Sequence, residues 1–501
     1  MSEIILGFST VFSEPLTLGL ILAGALCGVL VGALPGLTAA AAIALLFPLT
    51  FHLEPLPALA LLYVLGKAGR YGGSISAILF NTPGTAASAA TMLDGYPMTR
   101  KGQAGKALKV SAVASAFGDF LGELLLIFGA VKIAVFTKTL GPPEYFAIMM
   151  MAFVVIGSVV GESVVKGLIA TATGGFLALV GTDPISGYSR MTLGFPQLED
   201  GFTLVPLLIG LFVFAEVLVQ AEMVHSKGDE DVNFRSSREG SRLPMPEFLR
   251  LVPTMFRSSV IGSLIGMLPG LGSSVACFVA YGEERRRSKR SGEWGTGVPE
   301  GVAAPEAANN AVSGPSMIPL LTLGIPGSTI AAILIGVFTI HGIQVGPMIF
   351  DREPALVFGL FSAGLIGILA YGLIGYFGAP LVGRMIAYLP PRIIYPFVFV
   401  TAFSAVYSGN NSVFDIGVAL IFGVIGYAMR KSGFPIAAFI IGFVLARGAE
   451  EAFRQSLLLS DNGFGIFLER PVAIACFAIA ALVSVLRGAQ SLRRTKSHAK
   501  T

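Results

Sequence analysis

The chain repeats itself around a motif that no uninterrupted helix or strand can carry. GALPGLT at Gly32–Thr38 is echoed by GMLPGLG at Gly266–Gly272, and upstream the spacing of Gly24, Gly28 and Gly32 matches that of Gly262 and Gly266. Further on, Thr82-Pro83-Gly84-Thr85 is answered by Ile325-Pro326-Gly327-Ser328, and Asp94-Gly95 with Pro97-Met98 by His341-Gly342 with Pro347-Met348. Gly141-Pro142-Pro143 then pairs with Leu389-Pro390-Pro391, and Gly161-Glu162-Ser163 with Gly409-Asn410-Asn411. Echoes in one unbroken order indicate an internal duplication. Proline removes a backbone donor and glycine admits a turn. Both halves must therefore hold segments interrupted at matched points.

The interruptions lie inside apolar runs of roughly 16 to 25 residues, each long enough or nearly so to cross a hydrocarbon core. With 54% hydrophobic and 13% charged residues, the 501-residue chain has too little charge to cover a water-soluble protein of its size. The reading is an all-α polytopic membrane protein with two inverted-topology repeats, broken or re-entrant helix hairpins and about 11–12 crossings. Residues 1–222 form the first repeat, 223–257 a cytoplasmic linker, 258–486 the second repeat and 487–501 a basic cytoplasmic tail. Met1 to Ser13 carries Glu3 and no Lys or Arg, unlike a cleavable signal peptide, so targeting is expected from the first helices. Cys27, Cys277 and Cys476 are scattered in apolar segments and predict neither a disulfide nor a structural metal.

Charge placement sets the orientation. The loop around Arg100, Lys101, Lys106 and Lys109 is basic while its counterpart Asp351-Arg352-Glu353 is not; conversely, Arg285-Arg286-Arg287-Ser288-Lys289-Arg290 is basic and its counterpart Phe51 to Pro57 has no Lys or Arg. By the positive-inside rule the equivalents face opposite sides, which is the inverted repeat of many secondary transporters. The N-terminus is then periplasmic and the C-terminus cytoplasmic. Residues 99–109, the region near 161 and the linker 223–257 face inside, whereas 138–143 and 182–201 face outside. The middle of the linker, Ser226 to Asp231 and Arg235 to Arg242, is expected to be poorly ordered.

Unwound backbone at membrane depth is tolerated only when buried or lining a cavity, and half-helix N-termini then present partial positive charge to anions. A substrate site is therefore expected among Pro35, Gly36, Thr38, Gly270, Ser273 and Ser274 of the first motif, and Ser74, Asn81, Thr82, Pro83, Gly84, Thr85, Pro326, Gly327, Ser328 and Thr329 of the second. The second break is read as spanning Tyr71 to Ser88, with Ser313 to Thr329 as its counterpart. A single Pro-Gly is more often a kink; four in register argue for a site. The spaced glycines read as close helix packing.

Charges inside a span are functional candidates. Asp119 and Glu123, four apart on a helix from Val110 to Val135, suit a coupling cation or a shared proton, or else pair with a lysine of a neighbouring helix. Asn309 and Asn310 supply uncharged oxygens suited to sodium, or cap a helix. Lys67 and Arg70 offer positive charge to substrate or snorkel to the interface. Glu162 and Lys166 are spaced to pair, and Asp415 at the Lys166 position of the second half suggests an ion pair between halves. No catalytic triad, zinc spacing or phosphate-binding loop occurs, which argues against an enzyme or ATPase.

GALPGLTAAAAIALLFPLTF (Gly32–Phe51), YGGSISAILFNTPGTAASAATMLDGYP (Tyr71–Pro97) and PEGVAAPEAANNAVSGPSMIPLLTLGIPGS (Pro299–Ser328) resemble the large membrane subunit of the tripartite tricarboxylate transporters, the TctA-type family. The likeness runs along essentially the whole chain. It implies a bacterial inner-membrane permease working with a small TctB-type membrane subunit and a periplasmic TctC-type solute-binding protein, without a cofactor. It further implies import of citrate or another carboxylate, driven by a sodium or proton gradient. A channel or stand-alone exporter of organic anions is the alternative, though polarity here concentrates at the breaks rather than along whole helices.

Overall fold

The computed structural model describes residues 2–160, 163–183, 186–224, 242–388 and 391–498. The first half comprises α1 (Ser2–Ser13), α2 (Pro15–Ala33), α3 (Ala39–Leu46), α4 (Pro55–Phe80), α5 (Ser88–Arg100), α6 (Ala104–Thr137), α7 (Pro142–Val159), α8 (Val164–Ala178) and α9 (Leu204–Glu222). The second comprises α10 (Met245–Gly266), α11 (Gly272–Arg287), α12 (Pro299–Ala311), α13 (Ile318–Leu323), α14 (Thr329–Ile340), α15 (Pro354–Ile386), α16 (Pro391–Asn410), α17 (Val413–Lys431) and α18 (Ile436–Leu458), followed by α19 (Pro471–His498). The described strands are two residues long, Gly181–Thr182 against Ser189–Arg190.

The punctuation follows local chemistry. Proline occupies the first turn of α2, α4, α7, α12 and α15, where its missing N–H costs nothing. Ser163 and Ser412, at matching places in the two halves, cap α8 and α17 by accepting from Lys166 N and Asp415 N. The order of elements recurs: α2 and α3 correspond to α10 and α11, α4 and α5 to the α12–α14 stretch, α6 to α15, and α7 to α9 to α16 to α18.

Packing is reciprocal between the halves. α2 lies along α4, with Gly24 and Gly28 so close that a Cβ would come within 2.7 and 2.6 Å of the Leu61 and Leu65 carbonyls; Gly32 meets Gly69 O in the same way. α10 lies likewise along α12, through Gly262 and Gly266. α6 of the first half packs on α12 of the second through Gly118 and Gly122, and α15 of the second packs on α4 of the first through Gly364 and Gly367. α8 pairs with α18 and α9 with α17. The expected small-residue faces thus serve as helix contacts.

Large apolar side chains such as Phe128, Phe256, Phe377 and Phe397 point outward, more than half exposed. That arrangement suits hydrocarbon and not water. Among the described residues eight helices are long and apolar enough to cross a membrane, or nine if Gly463–Glu469 and Pro471–Arg487, bent by 86°, form one span. The chain is a multi-pass membrane protein. The count falls below the expected 11–12 because α4 and α18, with 26 and 23 residues, carry internal charges, and because α3, α8 and α14 are short.

Several boundaries differ from the sequence reading. α4 runs unbroken through Tyr71-Gly72-Gly73-Ser74, and the break begins at Asn81. The glycine pair is there for proximity: a Cβ on Gly72 would reach Val29 O, and one on Gly73 the Thr85 side chain. α6 starts at Ala104, so Lys106 and Lys109 belong to the helix and not to a loop. α10 begins at Met245, within the stretch 223–257 expected as linker, and α19 extends through the expected tail to His498. The middle of the linker (225–241), Gly161, Glu162, Leu389 and Pro390 lie outside the described residues.

Candidate functional site

The breaks end and restart helices by matched devices. Asn81 closes α4 in the left-handed conformation (φ 55°), and Gly324 closes α13 likewise (φ 71°). After Pro83-Gly84, the Thr85 hydroxyl accepts from Ser88 N at 3.2 Å; after Pro326-Gly327, Ser328 accepts from Ala331 N at 3.2 Å, with Thr329 opening α14. Thr82 donates to Phe80 O. Gly84 presses against Gly32 O and Gly327 against Ser316 O, so neither position has room for a side chain. In the LPG motifs Gly36 and Gly270 both have positive φ, 86° and 87°. Thr38 caps α3, Pro35 O accepts from Tyr395 OH at 2.5 Å, and Ser273 and Ser274 lie half-buried in the first turn of α11.

The four breaks do not meet at one point. Ala87, just before α5, and Ala90 of α5 pack on Cys277 of α11, and Ile330 of α14 joins Ile43 of α3 against Gly66. Each half's second break is therefore coupled to the other half's first hairpin, giving two crosswise pairs of helix starts.

Beside them lies a buried, charged core built on α4, α6, α12 and α15. Lys67 bridges Asp119 Oδ1 at 2.5 Å and Glu123 Oε2 at 2.8 Å, and all three are fully buried. Tyr63 OH donates to Glu123 at 2.8 Å and Tyr371 OH to Asp119 at 3.0 Å. The ammonium also sits 4.7 Å from the Tyr63 ring centre. Of the two sequence readings for Asp119 and Glu123, the structure realises the pairing with a lysine; Lys67 does not snorkel. Asn309 and Asn310 lie within α12 and cap nothing. Their amide nitrogens donate to Arg70 O and to Lys67 O and Tyr371 OH, leaving both Oδ1 atoms buried without a partner, as is Glu123 Oε1.

One turn along these helices is a second buried centre. Glu306 of α12 accepts from Ser74 of α4 and Thr91 of α5 on Oε1, each at 2.5 Å, and from Ser111 and Ser115 of α6 on Oε2, at 3.1 and 2.8 Å. Ser74 was expected to face substrate; here it faces a carboxylate. Glu306 was missed as a site. Its signal was available, because it is the only Asp, Glu, Lys or Arg between Glu300 and Asp351. Lys67, Arg70, Tyr71 and Ser74 share one face of α4 by helical spacing, so Arg70 stands between the two centres. Its Nε is buried without a hydrogen bond, and the guanidinium forms no ion pair among the described residues.

Asp94 anchors the two halves from the side, accepting from Gly295 N, Gly297 N and Val298 N at 2.7 to 3.0 Å and from Tyr281 OH at 2.8 Å. The suggested Lys166–Asp415 pair does not form: Lys166 donates to Ser432 O at 2.6 Å, while Asp415 accepts from Asn410. Lys166 sits near the Phe434 ring, and that carbonyl lies within its reach where the carboxylate does not.

The model of the tripartite tricarboxylate transporter TctA family matches residues 18–441. The chain is 36% identical over 492 residues to an Agrobacterium vitis protein described as an uncharacterized 52.8 kDa protein in the TAR-I ttuC′ 3′ region, covering 97% of each. A second A. vitis protein, described as uncharacterized and in the TAR-II ttuC′ 3′ region, is 36% identical over 232 residues, 46% of this chain and 96% of the relative. No solved structure matches.

Proposed function

The chain belongs to the tripartite tricarboxylate transporter TctA family, and from that premise we propose that it is the large permease subunit of a binding-protein-dependent, cation-coupled importer of tricarboxylates or related organic acids. The observation that carries the reading is Arg70, a half-buried side chain beside the charged core whose Nε has no hydrogen bond and which forms no ion pair among the described residues. A half-buried guanidinium without a hydrogen-bonded partner has donors free for an anion. A carboxylate substrate is such an anion, and Arg binds carboxylates bidentately. The helix starts of α5 and α11, capped by Thr85 and bearing Ser273 and Ser274, add oriented N–H groups nearby.

The crosswise packing of the halves supports inverted repeats and alternating access, with the coupling ion, sodium or proton, held in the same buried core. The partners in this reading are a small TctB-type membrane subunit and a periplasmic TctC-type binding protein, in a bacterial inner membrane with the N-terminus periplasmic and the C-terminus cytoplasmic. Proteoliposomes containing both membrane subunits, supplied with binding protein and labelled citrate or a panel of organic acids, test it. Gradient-driven uptake is expected, falling by roughly two orders of magnitude in Arg70→Gln at normal assembly. Uptake of no acid in the panel, or uptake indifferent to both sodium and proton gradients, overturns it.

A further inference from the structure

We propose that Glu306 and the hydroxyls of Ser74, Thr91, Ser111 and Ser115 form the binding site for a dehydrated monovalent cation of sodium size. This rests on the cation-coupled reading above and gives the ion a location distinct from the Lys67 centre.

The donor set is the first argument. One carboxylate and four hydroxyl oxygens, contributed by α4, α5, α6 and α12, converge with two hydroxyls on each carboxylate oxygen and every member fully buried. Oxygen ligands of this kind suit a hard cation. Among the described residues no three His, Cys, Asp or Glu gather to hold a multivalent metal, and one carboxylate balances one positive charge.

The core's charge is the second argument. Along the shared face lie two cations, Lys67 and Arg70, and three carboxylates, Asp119, Glu123 and Glu306. Lys67 is committed to Asp119 and Glu123, so the core carries one more carboxylate than cation when all are ionised. Asp94 is held separately by backbone N–H groups. The other polar groups packed toward Glu306 supply no countercharge: Tyr71 OH has no partner, and Cys277 Sγ donates to Pro305 O.

A proton on Glu306 would also restore neutrality, with one hydroxyl turning to its own helix, and the sodium-binding measurement below separates the two cases. A cation asks instead for the hydroxyl lone pairs. All four hydroxyls are on helices, where each proton can turn to the carbonyl one turn back. Rotating the four hydroxyls turns their lone pairs toward a cation held at the carboxylate.

The test is binding of radioactive sodium to the purified full-length chain in detergent, with uptake measured separately in the proteoliposomes described above. Saturable sodium binding is expected for the wild type. Thr91→Ala and Ser115→Ala should each weaken it about tenfold and Glu306→Gln by a hundredfold or more, while Thr91→Ser keeps it near wild type. Because Glu306→Gln can disturb folding, the contrast between Thr91→Ala and Thr91→Ser decides in its place. Wild-type protein that binds no sodium, or variants that bind it with unchanged affinity, overturns the site; carboxylate uptake that persists in those cases leaves the carrier reading intact. Sodium binding that follows the expected pattern without uptake of any organic acid supports the site and counts against the carrier reading.

Discussion

Replacing Lys67 by methionine isolates the energetics of the charged core. The ammonium lies 2.5 Å from Asp119 and 2.8 Å from Glu123 with all three side chains fully buried. Methionine keeps most of the apolar stem and removes the charge, leaving two carboxylates one turn apart on α6 with no countercharge. Breaking a buried pair from one side costs about 3–5 kcal/mol, or roughly two to four orders of magnitude in the folding equilibrium. Tyr63 and Tyr371 still donate to the carboxylates, which keeps the loss within that range. Adding Asp119→Asn and Glu123→Gln removes the orphaned charges and should return stability to within about 1–2 kcal/mol of wild type. The single tryptophan, Trp294, packs edge-on against Tyr281 at 5.0 Å, so its fluorescence follows unfolding as SDS is added to detergent micelles. A Lys67→Met protein that unfolds with the wild type, or a triple variant no more stable than the single one, would refute this account.

Gly32→Val should abolish correct folding or cost about 1–3 kcal/mol, because its Cβ overlaps Gly69 O, whereas Gly19→Ala, which meets nothing within 4 Å, should be silent in the same unfolding assay. Asp94→Ala removes the acceptor shared by Gly295, Gly297 and Val298. Trypsin should then cut at Lys289 and Arg290 several-fold faster, with the far-ultraviolet helical signal unchanged. At Asn81, held at φ 55°, glycine should be tolerated, while valine should cost about 1–2 kcal/mol, read from the melting temperature.

The duplicated Pro-Gly motifs were legible because they act through local backbone chemistry: a missing donor at Pro83 or Pro326 and a permissive φ at Gly36 or Gly270 need no knowledge of neighbours. The extent of the breaks was harder to read. Gly72 and Gly73 look like the start of an unwound stretch, and only the approach of α2 and Thr85 reveals them as packing positions. The charged centre was half visible. Spacing put Asp119 and Glu123 on one face, but Lys67 is 52 residues from Asp119, and nothing local selects it over a surface lysine. Glu306 was the largest omission, since its role exists only once serines and threonines from three other helices converge on it. Lys166 and Asp415 show the converse error, in which equivalent positions suggested a contact that the fold does not make.

The crossing of the halves also sets a problem of timing. Lys67 can pair with Asp119 and Glu123 as soon as α6 enters the bilayer. Ser74, Thr91, Ser111 and Ser115 wait for an acceptor that lies between 191 and 232 residues further along the chain. At about 5–20 residues per second that interval is on the order of ten to forty seconds. During it the nascent first half holds four hydroxyls beside α5 and α6 with no Glu306 to receive them. Each hydroxyl can meanwhile turn to the carbonyl one turn back on its own helix, and a ribosome stalled before residue 306 would deliver a membrane protein with its first helices in place and its polar seam open.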